Sequence, residues 1–357
     1  MKEKYFLGAN SPLGFYSLYD RFTDPMTDRA LFIIKGGSGC GKSTFMRHIS
    51  DALTQKGYDV EEIYCSADPD SLDGLYIPSF KTAYVDGTAP HVLEAKFAGV
   101  FEQYINLGEN YDIEELVKNK ANIIYQIQHG KSHYKRAYDY LAAADKVWRE
   151  MIEEFSEPAL IEKIKKRSRG IIAREITGAA QHGTGKIKKR FLTSFTYRGY
   201  SDFFAEIAEK SKRIYHLDNQ FGFADILLQE IQSAATDAGF DVIACPSPFT
   251  PSQLDHLIIP ELGLAFLSSD DGWQYEGRYD RHIRLDATAD AEKLKKAKQR
   301  IKFSRKVRLM LMEEAIKALG DAREEHEILE QLYNPHVDFA GVLDMAEEQV
   351  QMLLEKM

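Results

Sequence analysis

The chain has 357 residues, 44% of them hydrophobic and 28% charged, with a formal net charge of −9. That balance provides for a sizeable core in about two or three domains and argues against a protein that coats nucleic acid along its length. Cys40, Cys65 and Cys245 form neither a metal-ligand spacing nor an even disulfide set, Met1-Lys2-Glu3-Lys4 does not open a secretory leader, and no apolar run reaches bilayer length, so a cytoplasmic protein with no membrane partner is expected.

Tyr5 to Asp20 is rich in aromatic and turn residues, with Ser11-Pro12 and Leu13-Gly14 marking a turn, and is expected to form an edge hairpin over a sheet. Leu31 to Ile34 follows as a buried strand. It runs into Gly36-Gly37-Ser38-Gly39-Cys40-Gly41-Lys42-Ser43-Thr44 and then a helix from about Lys42 to Gln55, whose apolar face is Phe45, Met46, Ile49 and Leu53. Strand, Gly-x-x-x-x-Gly-Lys-Ser and helix together form the P-loop pattern in its required context. Gly36, Gly39 and Gly41 allow the backbone to aim its N–H groups at a phosphate, the helix N-terminus adds free donors, Lys42 supplies the counter-charge and Ser43 a Mg2+ ligand.

Tyr58 to Cys65 reads as a second strand, and Asp68-Pro69 as the N-cap and first residue of a helix. Thr82 to Asp86 is a short apolar strand ending in a carboxylate. Beside the P-loop strand, Asp86 would be the acid that holds Mg2+. His91, in the loop leaving that strand, is a candidate for sensing the γ-phosphate or positioning water, although a lone loop histidine is more often merely solvated. Glu102 and Glu109 are further acids that surface positions explain equally well.

Asp112 to Phe155 has apolar residues at three- and four-residue steps, with Gly130 as a possible division. Pro158 opens a shorter helix to Ile176 that carries Lys163, Lys165, Lys166, Arg167 and Arg169. Together they predict a helical hairpin projecting from the core. Thr177 to Lys189 reads as a linker.

The chain then repeats itself. At an offset of 182 residues Gly57-Tyr58-Asp59-Val60 meets Gly239-Phe240-Asp241-Val242, Leu72-Asp73 meets Leu254-Asp255, and Leu75-Tyr76-Ile77-Pro78 meets Leu257-Ile258-Ile259-Pro260. Tyr5-Phe6-Leu7 aligns with Arg190-Phe191-Leu192 at a slightly larger offset. A long helix from Asp290 to Tyr333, a break at Asn334-Pro335 and a shorter helix from Val337 to Met357 repeat the arm. In the second copy Gly41, Lys42 and Ser43 become Phe223, Ala224 and Asp225, and Asp86 becomes Ser268, so this half lacks the phosphate counter-charge, while Asp218 and Asp225 would repel an anion. It is expected to be structural, completing the first site across a pseudo-twofold interface. Asp270 and Asp271 read as exposed loop acids. Lys293 to Arg308 holds nine basic residues. The default for such a stretch is a solvated face; an acidic partner, nucleic acid, or an in-chain arginine finger from Arg300 or Arg305 are the sharper options.

The segments Gly8-Ala9-Asn10-Ser11-Pro12, Lys35 to Thr44, Asp68-Pro69-Asp70-Ser71-Leu72-Asp73, Asp86-Gly87-Thr88-Ala89-Pro90-His91 and Ile105-Asn106-Leu107-Gly108-Glu109 resemble a family of uncharacterised bacterial tandem P-loop ATPases of the Firmicutes type. The resemblance covers nearly the whole chain and implies nucleotide binding, hydrolysis as an expectation, and roles for Asp86 and His91; it implies no particular substrate. Members of that family often carry a working P-loop in both halves, and this chain departs from them in the second.

The expected fold is α/β: two tandem P-loop NTPase-like cores, each a parallel sheet with flanking helices and an appended helical hairpin. The expected boundaries are 1–177 (core 1–112, arm 113–177), a linker at 178–189, and 190–357 (core 190–286, arm 287–357). The leading reading is a Mg2+-dependent ATPase in which 36–44 binds phosphates, Ser43 and Asp86 hold Mg2+, and Lys42, Asp86 and His91 are catalytic. A small-molecule or nucleotide kinase using the same loop, and a non-enzymatic nucleotide-gated switch or scaffold, are the alternatives.

Overall fold

The computed structural model describes residues 1–89, 92–179 and 183–355. Its strands are β1 (Lys2–Phe6), β2 (Gly8–Ser11), β3 (Gly14–Ser17), β4 (Ala30–Lys35), β5 (Val60–Tyr64), β6 (Leu72–Ile77), β7 (Thr82–Asp86), β8 (Glu102–Asn106), β9 (Ile187–Lys189), β10 (Thr193–Thr196), β11 (Gly199–Asp202), β12 (Arg213–Asp218), β13 (Val242–Pro246), β14 (Leu254–Ile259), β15 (Leu264–Ser269) and β16 (Arg281–Ile283). Its helices are α1 (Lys42–Gln55), α2 (Ile113–Lys118), α3 (Lys120–Ile152), α4 (Pro158–Glu175), α5 (Phe204–Lys210), α6 (Ala224–Asp237), α7 (Ala291–Tyr333) and α8 (Phe339–Glu355).

The fold is α/β with two mixed, mostly parallel six-stranded sheets of the same order: β1-β5-β6-β7-β4-β8 and β9-β13-β14-β15-β12-β16. Among the described residues of these two sheets, only β6 and β14 run antiparallel, each to both of its neighbours. The all-parallel sheet expected from the sequence is corrected here. A short turn, rather than a crossover helix, joins β5 to β6, and a short connection can only reverse the chain. Asp68-Pro69 therefore starts no helix. Asp68 Oδ1 accepts from Asp70 N at 3.1 Å, and Ser71 N donates to Asp68 O at 3.0 Å. The chemistry that caps a helix also closes a turn. The second half does the same, with Gln253 N donating to Thr250 O at 2.8 Å. Ile187–Lys189, inside the stretch read as a linker, is strand β9 at the edge of the second sheet, parallel to β13.

The strand β4 buries Ala30, Leu31, Phe32, Ile33 and Ile34, as a central parallel strand covered on both faces requires. Phe45, Met46, Ile49 and Leu53 turn the apolar stripe of α1 onto the sheet. The halves meet around a local twofold at Phe6 and Phe191, each donating its N–H to the other's carbonyl at 2.9 Å. Beside this junction the buried Glu61 carboxylate is ion-paired with Arg190 and Lys188, which holds its pKa below the usual carboxylate range against the opposing effect of burial.

The arms do not fold back as hairpins on their own cores. Helices α3 and α7 pair with one another, and the short helices are exchanged: α8 packs on α1, and α4 on α6. The α3–α7 pair is antiparallel, with His129 against Glu325, Arg136 in the middle of α3 against Asp321, and Lys293 near the start of α7 against Glu157 just beyond the end of α3. Ala137, Leu141 and Ala144 face Met312, Ala315, Ala318 and Leu319 across it. α3 continues through Gly130 without a break. On α8, Val342, Ala346, Val350 and Leu353 are buried in the core that contains α1. At about 1.5–3 kcal/mol for each buried Val or Leu, the exchanged helix is held by several kcal/mol of gross apolar burial. No helix among the described residues is long and apolar enough to cross a membrane.

Candidate functional site

The glycine-rich loop leaves β4 at its C-terminal edge and enters α1 at Lys42. Gly39 and Gly41 take positive φ, +68° and +87°, and Gly41 caps the helix in the left-handed conformation. Strand β7 lies parallel beside β4, with Asp86 in register with Ile34. This brings the Asp86 carboxylate to 3.6 Å from the Lys42 ammonium, both side chains 12% exposed. Lys42 Nζ also donates to Gly36 O (3.0 Å) and Gly37 O (2.8 Å). Thr88 holds Asp86 in place, donating its N–H at 2.8 Å and its hydroxyl at 2.5 Å to Oδ1. Ser43 Oγ accepts the first N–H of β6, from Leu72, at 2.9 Å. Lys35 secures the segment after β7 by donating to Gly87 O and Leu93 O at 3.0 and 2.8 Å.

The loop, Lys42, Ser43, Thr44 and Asp86 thus converge on one cavity of about 500 Å³, which Ser38, Gly39, Cys40 and Gly41 also line. Gly36 and Gly37, expected to bind phosphate, do not line the cavity, and the Gly37 N–H is taken by Tyr111 Oη at 2.5 Å. His91 lies outside the described residues. Glu102 is used locally, accepting from Phe97 N at 2.7 Å.

Residues from the C-terminal half cover this cavity, and sequence reasoning missed them. The segment around Tyr111 is tied to the α7–α8 junction, with Asp112 N donating to His336 O and Asp338 N to Asn110 O, both at 2.9 Å. That sets Tyr333 and Asn334 directly on the loop. With its amide oriented to donate, Asn334 reaches Gly39 O at 2.8 Å. A Cβ on Gly39 would stand 2.5 Å from that amide and 3.2 Å from Glu330 Cα; on Gly37 it would stand 3.3 Å from the Tyr333 ring, and on Gly41 3.2 Å from Val342. The glycines are therefore required by the close approach of the second half as well as by backbone direction.

Further along α7, Arg323, His326 and Glu330 also line the cavity, with Glu330 close against the loop at Gly39. Arg323 lies 3.5 Å from both Asp68 and Glu330 and 3.4 Å from Glu327. The sequence did carry one signal for it, since Arg323 shares the α7 helix with the basic stretch. The arginines proposed as fingers are elsewhere: Arg300 pairs with Glu154, and Arg305 with Asp271 at 2.7 Å. Lys293 and Arg308 are also ion-paired within the chain, to Glu157 and Asp270, so several charges of 293–308 are answered internally. Asp270 and Asp271 are not exposed loop acids. Asp270 holds the buried Arg308, and the Asp271 side chain is 2% exposed, its pKa raised by burial.

The equivalent position in the second half is built differently. Asp225 takes the Ser43 role and accepts from Leu254 N at 2.7 Å. Asp286 accepts the N–H groups of Gln220 and Phe221 at 3.0 and 3.3 Å, so a carboxylate of the chain itself occupies the donors that the loop presents. Loss of hydration raises that carboxyl to about 6. Phe221 replaces Gly39 and packs against Trp148 and Phe155 from the first half's arm, with ring centroids 6.4 and 5.3 Å apart. What remains is a cavity of about 250 Å³ that contains Asp225, Asp255 and Asp270. Asp218 Oδ1 lies 2.6 Å from His282 Nε2.

Comparison of the chain with protein-family models, with curated proteins and with solved structures returned no match.

Proposed function

We propose that the cavity at the glycine-rich loop binds the phosphate chain of a nucleoside triphosphate, ATP as the reference case, with Mg2+, and hydrolyses it. The observation that carries this reading is the convergence of Lys42, at the start of α1, with Asp86, 3.6 Å away, at the edge of a cavity of about 500 Å³. The residues fit the proposed ligand. Glycines with positive φ open the backbone donors, the helix start favours an anion, and a lysine supplies the counter-charge. Ser43 and Asp86 are the oxygen donors for Mg2+, which when bound would neutralise charge on the terminal phosphates.

In this reading Lys42 exchanges its contacts with the Gly36 and Gly37 carbonyls for phosphate oxygens. Arg323 stabilises the charge that develops on the departing phosphoryl group, acting in cis from the other half. α7 closes the cavity against water. The second half contributes α7 and α8 and binds no triphosphate of its own, because Asp286 and Phe221 occupy the equivalent place.

The kinase alternative gains support from the depth of the cavity, which extends beyond the loop to Asp73, Tyr134 and Tyr138, with room for an acceptor. The test is phosphate release without an acceptor, and nucleotide affinity, in the parent and in Lys42→Ala. Release that depends on Lys42 supports the ATPase. Release only when an acceptor is added supports the kinase, and tight binding without turnover supports the switch. Affinity unchanged in Lys42→Ala refutes the site itself.

A further inference from the structure

The paired long helices carry a cluster with no part in the loop site. His129 and His133 stand one turn apart on α3, and Glu325 faces them from α7. One ligand atom from each of the three lies within 4.8 Å of the others. His129 Nδ1 is 2.9 Å from Glu325 Oε1, and His133 Nε2 is 4.0 Å from the same oxygen. Both ring nitrogens are shut off from water, and neither makes a hydrogen bond among the described residues. Two buried ring nitrogens gathered beside one carboxylate without a hydrogen bond to it are a cost without a ligand and a donor set with one.

We infer that His129, His133 and Glu325 bind one divalent late-transition cation, with Zn2+ as the reference ion, and so clamp the long helix of one half to that of the other. Two imidazoles and a carboxylate suit this class of ion, and three protein ligands leave a fourth position for water. Donors around a tetrahedral Zn2+ stand roughly 3.3 Å apart, so the present spacings need only side-chain rotation. Mg2+ is excluded as the occupant by its demand for oxygen ligands.

A carboxylate stands near the outer ring nitrogen of His133, short of hydrogen-bond distance in the present arrangement. Binding through His133 Nε2 leaves the proton on Nδ1, and Asp321 Oδ2 is 3.8 Å from that atom. Arg136 now places Nη2 3.1 Å from His133 Nδ1 and is also ion-paired with Asp321, so it retains a partner when the ring proton moves. Tyr125 stacks on the His129 ring at 5.4 Å, and the partial exposure of His129 leaves an entry path from solvent.

The test uses the full chain, stripped with a chelator, dialysed, and titrated with Zn2+ by calorimetry and with Co2+ by visible absorbance. One ion per chain is expected, with the intense d–d band of low-coordinate Co2+. Zn2+ at a hundred times its Kd is expected to raise Tm by about 4 °C. The double variant His129→Ala/His133→Ala should lose the band and the Tm rise while keeping its far-UV circular dichroism. Asp321→Asn, which keeps all three ligands, should weaken binding about 10–100-fold. Unaltered Co2+ binding in the double variant overturns the inference, as does loss of binding only in His282→Ala, which would place the ion at the His282–Asp218 pair, or an absence of saturable Zn2+ binding by the parent. None of these readouts involves nucleotide, so their failure leaves the reading of the glycine-rich loop untouched.

Discussion

Asp255→Asn tests the account of the second half. Asp255 is withdrawn from most of its water, and its carboxyl is raised from 3.8 to about 7 by that desolvation. Asp270 and Asp225 push it further up, and Ser247 and Arg308 pull it down. In the unfolded chain the group ionises near 3.8, so between about pH 4 and 7 the folded chain keeps a proton that the unfolded chain has lost. Stability therefore falls as pH rises through this window and levels off above it. The elevation of about 3 pH units sets a ceiling of about 4 kcal/mol at roughly 1.4 kcal/mol per unit. Because Asp255 lines a cavity rather than a closed core, solvent screening brings the expectation to about 2 kcal/mol. Asparagine does not titrate, and its side-chain oxygen still accepts from Asn219 Nδ2, which now lies 3.1 Å from Asp255 Oδ1. Urea unfolding at pH 4.5, 5.5, 6.5 and 7.5, followed by tryptophan fluorescence and circular dichroism, measures the difference between variant and parent. That difference is expected to move by about 2 kcal/mol in favour of the variant from pH 4.5 to 7.5. Asp286 titrates in both chains and cancels. A difference that stays constant with pH, or moves the other way, refutes the assignment of a protonated Asp255.

Arg323→Ala is expected to lower kcat by about a thousandfold or more with little change in nucleotide affinity. Its stability cost should stay below about 1 kcal/mol, because its ion pairs are long, at 3.4–3.5 Å, and partly solvated. Unchanged turnover removes Arg323 from the site. Gly39→Ala should destabilise by about 1–3 kcal/mol, from positive φ and the approach of Asn334 together. Gly57→Ala, at φ +89° with nothing within 4 Å of its Cβ, is the control and should cost only about 1 kcal/mol in the same thermal melts. Arg190→Met leaves the Glu61 charge buried with Lys188 alone and should cost about 3–5 kcal/mol, most of it recovered by adding Glu61→Gln.

The elements nearest the loop were the most legible. Lys42–Gln55 forms the helix its periodicity predicts, Thr82–Asp86 is a strand beside β4, and the offset of Leu72-Asp73 from Leu254-Asp255 reappears as two sheets of identical order. The misreading at Asp68 has a physical cause. A side chain that accepts from the N–H two residues on serves a tight turn as well as a helix start, and the sequence does not separate them. The helical arms were legible as helices but not in their partners. An apolar stripe states that a face must be buried without stating against what, and α4 and α8 bury theirs on the opposite half.

The sequence by itself determined the local chemistry: a glycine-rich turn into a helix with Lys42 at its start, a carboxylate at the end of a neighbouring strand, and the loss of both in the second copy. These follow from residue type and short-range spacing, where backbone conformation and charge are decided. Only the tertiary structure decided that Tyr333 and Asn334 stand on the loop and Arg323 in the same cavity, that Asp286 and Phe221 close the second one, and that His129, His133 and Glu325 meet. Apart from the Asp286 contact, which lies within the second half, each of those depends on the exchange of arms between halves, a packing of surfaces far apart in the chain that no local pattern encodes.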